Sequence, residues 1–310
     1  MKFVVTGGAG FIGSNLVRHL VENGHKVVVI DNFHTGRPST LKDLDVRIIQ
    51  GNSSEIAKLN EAVDGVFHLG IYSSSPMYRN DRNLVAKAIN DFIVLMEYAK
   101  KYRVKVVFAS TSSIYNGNPI PWREDMPIIP TDFYTEARYA MERLAEVYYK
   151  LYGVRCIALR LFSVYGEREE YKGKYANLVS QFLWAALKGE APVIYGDGSQ
   201  TRDFIYVGDV VEAFVKAMEA GIDFDIFNVG TGKNYSLNEL VSLLSKILGK
   251  EVKPKYVENP IKNYVMHTLA DTSKAEQKLG FRAKVSLEEG IRKILPYYEK
   301  ILAKISFSTF

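Results

Sequence analysis

Cysteine is almost absent from this sequence, which contains Cys156 alone among its 310 residues. An intramolecular disulfide is therefore excluded, and the apolar run around this residue, "VRCIALRLF", predicts a small buried hydrophobe. Long apolar runs are also missing. None approaches the ~18 residues of a membrane span, and the opening "MKFVVTGGAG" reaches glycine too soon for a signal-peptide core. These features predict a cytoplasmic protein that works in a reducing compartment and away from membranes.

Runs of basic residues and metal-ligand patterns are lacking as well. The 40 Lys and Arg exceed the 35 Asp and Glu by a formal charge of +5, and they occur singly or in pairs. This mild bias suits a phosphorylated small molecule better than a nucleic acid. The histidines show no metal-ligand spacing among themselves or with the cysteine, so no metal site is expected. Each is predicted to lie on a helix surface or in a turn: His19, His25, His34, His68 and His267.

The sequence does contain a regular alternation of short apolar runs with longer helical patterns. Strands that are apolar throughout and alternate with helices indicate a parallel sheet covered on both faces. We therefore predict an α/β fold: a Rossmann-like doubly wound domain over residues 1–165 and a smaller C-terminal substrate-binding lobe over residues 166–310. The segment near 203–229 is expected to pack back on the first domain. Helices are predicted from Phe11, Ser54, about Asn83 and around Tyr134, and strands at "KFVVT", "KVVVI", "VRIIQ", "GVFHL", "VKVVFAS" and "VRCIALRLF".

A glycine motif, "TGGAGFIG", follows the first predicted strand and opens a helix. Gly7, Gly10 and Gly13 would let backbone amides at the helix N-terminus face a pyrophosphate. Asp31 ends the second strand, 18 residues beyond Gly13, where a carboxylate suits the ribose hydroxyls and repels a 2′-phosphate. The motif therefore predicts NAD as the cofactor, in preference to NADP. The alternative is a turn whose glycines serve tight packing alone.

A second group of polar residues lies where two further predicted elements begin or end. Thr111, Ser112 and Ser113 follow the strand "VKVVFAS", at a sheet edge where open α/β folds bind ligands, although such residues also cap helices. Tyr134 and Arg138 lie one helical turn apart in "FYTEARYAMERLAE". A fixed cation at that spacing stabilises a phenolate and favours its accepting a proton.

Six motifs in a fixed order resemble the extended short-chain dehydrogenase/reductase family, in particular its UDP-galactose (UDP-glucose) 4-epimerase branch. They are "TGGAGFIG", "STSSIY", "YTEAR", "GDGSQTRDFIYVGDV", "FNVGTG" and "LADTSKAEQKLGF". The resemblance covers about residues 1 to 300. It implies an NAD-dependent isomerase that interconverts UDP-hexoses through transient oxidation to a 4-keto sugar. It also implies a homodimer, formed through the helices that carry "LVAKAINDFIVLMEYAKKY" and "YAMERLAEVYYKLYG".

The resemblance also assigns roles to individual residues. Tyr134 would be the catalytic base, Thr111 its hydroxyl partner on the sugar 4-oxygen, and Arg138 the residue that holds the nicotinamide ribose. The other implied cofactor-binding residues are Gly7, Gly10, Phe11, Ile12, Gly13, Asp31, Asn32, Gly36, Asn52, Ser53, Leu69, Gly70 and Ile71. The other implied substrate-binding residues are Ser163, Asn177, Leu178, Val193, Tyr195, Arg202, Lys262 and Thr268.

Several positions depart from the family pattern. Arg138 replaces a lysine; it keeps a permanent charge but carries a bulkier, planar group. Ser163 replaces an asparagine that contacts the diphosphate, and Asn52 an aspartate that meets the adenine. In "PIKNYV", Ile261 takes the place of a second phosphate-binding arginine, with Lys262 as a substitute.

Two further positions bear on the reaction and the substrate. Related dehydratases and decarboxylases carry carboxylates just after the threonine, where this chain has Ser112 and Ser113, which favours epimerisation. Thr268 aligns with a gate where a small residue leaves room for an N-acetyl group. The sequence is compatible with three functional hypotheses. They are an epimerase of UDP-glucose/UDP-galactose or of the N-acetylated pair, a catalytically weak NAD- and sugar-nucleotide-binding protein, and a sugar-nucleotide dehydrogenase or reductase. The charged "GEREEYKGKY" is predicted to be a solvated loop, placed by the resemblance where the family closes over substrate.

Overall fold

The structure is a computed structural model that describes residues 1–307. Its α-helices are α1 Phe11–Glu22, α2 Ser75–Asn80, α3 Leu84–Tyr102, α4 Phe133–Tyr152, α5 Leu178–Lys188, α6 Val207–Glu219, α7 Leu237–Leu248, α8 Ser273–Leu279 and α9 Leu287–Phe307. Its strands are β1 Lys2–Thr6, β2 Lys26–Asp31, β3 Arg47–Gln50, β4 Gly65–His68, β5 Val106–Thr111, β6 Cys156–Leu161, β7 Ser163–Tyr165, β8 Val193–Tyr195, β9 Thr201–Arg202, β10 Phe204–Tyr206, β11 Phe224–Val229, β12 Tyr235–Ser236 and β13 Lys255–Val257. Short 3₁₀ helices cover Pro38–Leu41, Ser53–Lys58, Ser112–Tyr115 and Glu170–Tyr175.

Seven parallel strands form the central sheet, in the order β3-β2-β1-β4-β5-β6-β11. The chain moves outward from β1 to β3 and then crosses back to β4 on the other side of β1, so a switch point lies between β1 and β4. The predicted Rossmann-like α/β fold is confirmed, and each of the six predicted strands is present. The helix predicted from Ser54 is instead a 3₁₀ helix of six residues, because Ile56 and Leu59 enter the core and the backbone is extended again at Leu59.

The central strands are largely apolar because the sheet separates two cores. In β1, Phe3 and Val5 pack with α1 and α6 on one face, whereas Val4 packs with α3 and α4 on the other. Successive side chains of a strand point to opposite faces, so a strand covered on both sides has no polar face. Cys156 lies in β6 within the second core, as the predicted small buried hydrophobe.

The histidine prediction is wrong for His68, which lies in β4 and is 1% exposed. Its Nδ1 atom is 2.7 Å from the Thr6 hydroxyl, and its ring packs 5.7 Å from the ring of Phe92. The imidazole is buried despite its polarity because β4 lies in the middle of the sheet. The hydrogen bond to Thr6 lowers the free-energy cost of burying the neutral ring.

Helix α4 is fixed to the sheet by polar contacts as well as by packing. The Asp132 carboxylate caps it by accepting a 2.9 Å hydrogen bond from the Thr135 amide. Glu142, which is buried, forms a 2.6 Å ion pair with Arg160 of β6 and accepts a 2.6 Å hydrogen bond from Ser110 of β5. These bonds hold the helix, and therefore Tyr134 in its first turn, above the carboxyl ends of the strands.

The remaining C-terminal elements form a separate, smaller core. Helices α5, α7 and α9 contribute Phe182, Leu240 and Ile291 to it. By contrast, β11 is the last strand of the central sheet and α6 packs against α1. Within residues 1–307, none of the helices combines the length and apolar character that crossing a bilayer requires.

Candidate active site

One cavity of about 740 Å³ runs along the carboxyl edge of the central sheet. It starts at the switch point between β1 and β4, where open α/β sheets bind their ligands. From there it passes Thr111 at the end of β5 and Tyr134 at the start of α4, and it ends against residues 261–265. The cavity therefore brings together the glycine motif and Tyr134, which are more than a hundred residues apart in the sequence.

The glycine turn has no room for side chains at two of its positions. Gly7 has φ +68°, and a Cβ atom there would lie 2.6 Å from the Gly70 amide nitrogen. A Cβ atom on Gly13 would overlap the Gly7 carbonyl oxygen. The turn can therefore pass close to the end of β4, and α1 begins directly behind it, with Phe11, Ile12 and Gly13 lining the cavity.

Asp31 is held at the end of β2 by two backbone amides. Its Oδ2 atom accepts a 2.9 Å hydrogen bond from Ala9, and its Oδ1 atom accepts a 2.8 Å bond from Phe33. Burial raises the pKa of this carboxyl above its usual range, and the two amides oppose that shift. Each oxygen retains a lone pair, so the group can still accept hydrogen bonds from ribose hydroxyls.

The predicted adenosine side of the cofactor site is also preorganised. Asn32 donates a 2.9 Å side-chain hydrogen bond to Asn52, and the Ser53 hydroxyl donates a 2.9 Å bond to the Gly70 carbonyl. All the predicted cofactor-binding residues line the cavity: Gly7, Gly10, Phe11, Ile12, Gly13, Asp31, Asn32, Gly36, Asn52, Ser53, Leu69, Gly70, Ile71, Tyr134 and Arg138. The turn, the carboxylate and these polar groups fit a dinucleotide.

Arg138 is buried beneath Tyr134 and is 4% exposed. Its guanidinium donates a 2.9 Å hydrogen bond to the Ala109 carbonyl and a 3.1 Å bond to the Tyr72 carbonyl. Its Nε atom is buried and has no hydrogen-bond partner among the described residues. Backbone carbonyls therefore fix the cation in place, and donors remain on it for a ligand.

Thr111 lies at the end of β5 and lines the same cavity as Tyr134. Its hydroxyl oxygen accepts a 3.2 Å hydrogen bond from the Ser113 amide and so caps the short 3₁₀ helix that follows. This capping role was the alternative considered from the sequence. It uses the oxygen only as an acceptor, so the hydroxyl hydrogen stays available to a substrate.

Arg202 and Thr268 meet the cavity at its other end. The Arg202 guanidinium donates 2.8 and 3.2 Å hydrogen bonds to the carbonyls of Thr201 and Met266, and its Cζ atom lies 5.2 Å from the ring centroid of Tyr264. Thr268 accepts a 2.9 Å hydrogen bond from the Asp203 amide. Both side chains are therefore held in place by neighbouring backbone.

Asp203 is a residue that sequence reasoning missed, although it lies within a quoted motif. Its buried carboxylate accepts hydrogen bonds from the backbone amides of Thr231, Gly232 and Ala270 at 2.8, 3.0 and 3.1 Å. It thus joins "TRDFIYV", "FNVGTG" and "LADTSKA", which explains why an acid stands at this point of the first motif. Cavity-lining residues that were not predicted include Tyr72, Ser73, Ser74, Ser75, Arg79, Asp132, Lys172 and Tyr264.

Three predicted substrate-binding residues lie away from the cavity. Val193 and Tyr195 belong to β8 and are 48% and 40% exposed, and Leu178 packs on the C-terminal core. Their contact with a nucleotide stays a prediction. The other predicted substrate-binding residues line the cavity: Thr111, Ser163, Asn177, Arg202, Lys262 and Thr268. Across the described part of the chain, no group of three His, Cys, Asp or Glu side chains is placed to hold a metal ion.

The chain is similar to known proteins in both sequence and fold. Residues 3–230 match the model of the NAD dependent epimerase/dehydratase family. The chain is 35% identical to a UDP-glucose 4-epimerase of Thermotoga maritima solved with UDP-glucose, with a TM-score of 0.92 over 97% of this chain and 100% of that one. It is 32% identical to a UDP-N-acetylglucosamine 4-epimerase of Methanobrevibacter ruminantium in complex with UDP-N-acetylmuramic acid, with a TM-score of 0.91 over 96% and 98% of the two chains.

Similarity extends to a protein named for a different reaction. UDP-glucuronic acid decarboxylase 1 of Danio rerio is 31% identical over 317 residues, which cover 97% of this chain and 73% of that protein.

Proposed function

Because the chain belongs to the NAD-dependent epimerase/dehydratase family, we propose that it is a UDP-hexose 4-epimerase. Its cofactor is NAD. The observation that carries the proposal is the set of residues that line one cavity. Tyr134, Thr111 and the glycine turn all line it, and the residues after Thr111 are serines.

The cavity has hydrogen-bond donors and an acceptor that suit NAD. The amides at the start of α1 suit its diphosphate, and Asp31 suits the hydroxyls of the adenosine ribose. When bound, NAD⁺ supplies reversible hydride transfer at C4 of the sugar. The protein must then hold the sugar beside the nicotinamide and exclude water from it.

Tyr134 is the proposed acid and base of the reaction. Arg138 lies against its ring and keeps a permanent positive charge beside the site of proton transfer. The Tyr134 oxygen, acting as the base, accepts the proton of the 4-hydroxyl as the sugar is oxidised and returns it when the sugar is reduced on the opposite face. Thr111 donates its hydroxyl hydrogen to the sugar 4-oxygen and orients it.

Decarboxylation is less well supported, because a reaction of that kind needs a further acid or base beside the threonine. Ser112 and Ser113 occupy those positions. Asp132 does line the cavity, but its Oδ1 atom caps α4 and its Oδ2 atom accepts a 2.6 Å hydrogen bond from Ser75. We assign this carboxylate to holding Tyr134 in position.

The sugar is proposed to be a hexose or an N-acetylhexosamine. Thr268 lines the cavity, its side chain is small, and its hydroxyl accepts a hydrogen bond from the Asp203 amide, so no bulky group stands at this position. Arg202 and Lys262 are the proposed partners of the substrate diphosphate.

Proton NMR of the sugar anomeric signals tests the proposal directly. The purified protein is incubated with UDP-galactose, UDP-N-acetylgalactosamine or UDP-glucuronate, first without and then with added NAD⁺. We expect the gluco epimer from one or both of the first two substrates, without net production of NADH.

Each alternative gives a different result. UDP-xylose from UDP-glucuronate would replace epimerisation by decarboxylation, and stoichiometric NADH would indicate a dehydrogenase. No conversion of any substrate, with NAD bound, would favour the hypothesis of a catalytically weak NAD-binding protein. The hydrogen bonds of Arg138 to two backbone carbonyls support that hypothesis.

We also propose a homodimer that forms through α3 and α4. Val147 and Leu151 of α4 are 44% and 66% exposed, and their four-residue spacing places them on one face of the helix. Burying such a pair in a partner surface would remove both from water.

A further inference from the structure

Two residues of the charged segment 167–176, Lys172 and Tyr175, line the cavity. Asn15 of α1 donates a 3.0 Å hydrogen bond to the Glu167 carbonyl and accepts a 2.7 Å bond from Arg168. Further along, the Tyr171 hydroxyl lies 3.3 Å from that of Ser39, and the Arg37 guanidinium lies 5.7 Å from the Tyr171 ring. The segment therefore contacts both α1 and the loop beyond Asp31, the two elements whose residues are predicted to bind the dinucleotide.

Lys172 is the residue of this segment that carries positive charge into the cavity lining. Its Nζ atom lies 5.6 Å from the ring centroid of Phe11, the first residue of α1. In the described structure the first turn of α1 has no acidic residue and no side-chain cap. The amides there are free to bind a diphosphate, and Lys172 would add the full positive charge that backbone amides lack.

A buried carboxylate holds Lys172 in this place. Glu169 is fully buried and accepts 2.6 Å hydrogen bonds from the Asn177 amide and the Ser180 hydroxyl. Its Oε1 atom lies 3.5 Å from the Lys172 Nζ atom, whose side chain is 18% exposed. An ammonium has three N–H groups, so this contact leaves others for phosphate oxygens.

We propose that Lys172 binds the diphosphate of NAD and that segment 167–176, the clasp, keeps the cofactor in the cleft. The inference rests on NAD as the cofactor and not on the identity of the sugar. The diphosphate of the nucleotide sugar has the same chemistry and enters the same cavity, but the contact with Phe11 places Lys172 at the start of α1.

Retention of NAD by variants of the intact protein tests this. In Lys172→Gln the charge is lost while an amide can still donate to Glu169; Lys172→Arg keeps the charge. Lys174→Gln is the matched control, because Lys174 is an exposed lysine of the same segment whose Nζ atom lies 5.2 Å from the Tyr175 ring. Bound NAD is counted after denaturation, its dissociation is followed by exchange with labelled NAD, and UDP affinity is measured by calorimetry.

We expect Lys172→Gln to release NAD roughly tenfold faster or more, the loss typical of one hydrogen bond to a charged group. Lys172→Arg and Lys174→Gln should behave like the parent, and UDP affinity should change little. Unchanged release from Lys172→Gln, equal loss in Lys174→Gln, or a loss confined to UDP would each overturn the proposal.

A crystal structure of the unaltered protein with NAD gives a test that no variant's folding can obscure. The Lys172 Nζ atom should lie about 3 Å from a phosphate oxygen of NAD. A separation beyond about 4 Å would refute the assignment. Neither experiment requires turnover, so a failed epimerase assay would not affect its result.

Discussion

The guanidinium of Arg138 lies against the ring of Tyr134, with its Cζ atom 5.2 Å from the ring centroid. Two carbonyls, of Ala109 and Tyr72, hold it there. The first belongs to β5 and the second to the chain that follows β4, so Arg138 joins two neighbouring strand ends beneath Tyr134. The arginine at this position therefore has a structural task in addition to its charge.

Replacing Arg138 by lysine should lower activity, even though lysine is the residue that the family pattern leads one to expect. A single ammonium cannot reproduce the planar fork that contacts both carbonyls. We expect kcat to fall about tenfold, the order of one lost charge-assisted hydrogen bond, with NAD retained. Arg138→Met, which also removes the charge, should be slower still. A lysine variant as fast as the parent would contradict the structural task.

Removing the Tyr134 hydroxyl should abolish most of the activity and leave the protein folded. We expect Tyr134→Phe to lower kcat by roughly 10²–10⁴-fold, the range of a positioned acid or base, with unchanged NAD content. Tyr139→Phe, a partly exposed residue of the same helix, is the control. Equal activity in the two variants would remove Tyr134 from the mechanism.

His68 should make the protein less stable in mild acid. Burial, and then the charge of Arg138, lower the pKa of His68 from 6.5 to about 3. Between these values the unfolded chain binds a proton that the folded chain does not, so stability is lost as the pH falls below about 6.5. The loss between pH 7 and pH 5 should be about 2 kcal/mol.

Urea unfolding at both pH values measures this loss. The side chain at position 68 of the variant His68→Asn cannot titrate. Between pH 7 and pH 5 the free energy of unfolding of this variant should therefore fall by about 2 kcal/mol less than that of the parent. The same pH dependence in the parent and in His68→Asn would show that other groups are responsible.

Charge placed on the outer face of α4 should dissociate the proposed dimer. Leu151→Glu would put like charges into an apolar contact, and light scattering should then give the mass of one chain where the parent gives two. Tyr256→Glu, at a 51% exposed position of β13, should leave the mass unchanged. A parent that is already monomeric would exclude the dimer.

The local features of this protein were predictable from the sequence. Runs such as "KFVVT" predict strands because a sheet covered on both faces demands apolar residues at every position. The need for glycine at positions 7 and 13 follows from the geometry of a tight backbone turn. The placement of Tyr134 and Arg138 one turn apart follows from the pitch of a helix. In each case the interacting groups are close in the chain or belong to one regular element.

The tertiary structure decided the relationships that join distant segments. Asp203 holds the amides of residues 231, 232 and 270, Arg138 contacts a carbonyl 66 residues away, and Lys172 lies beside Phe11. His68 is a polar residue that only its place in the central sheet buries. No periodicity encodes such contacts, because they depend on which surfaces meet once the strands are ordered and the helices packed.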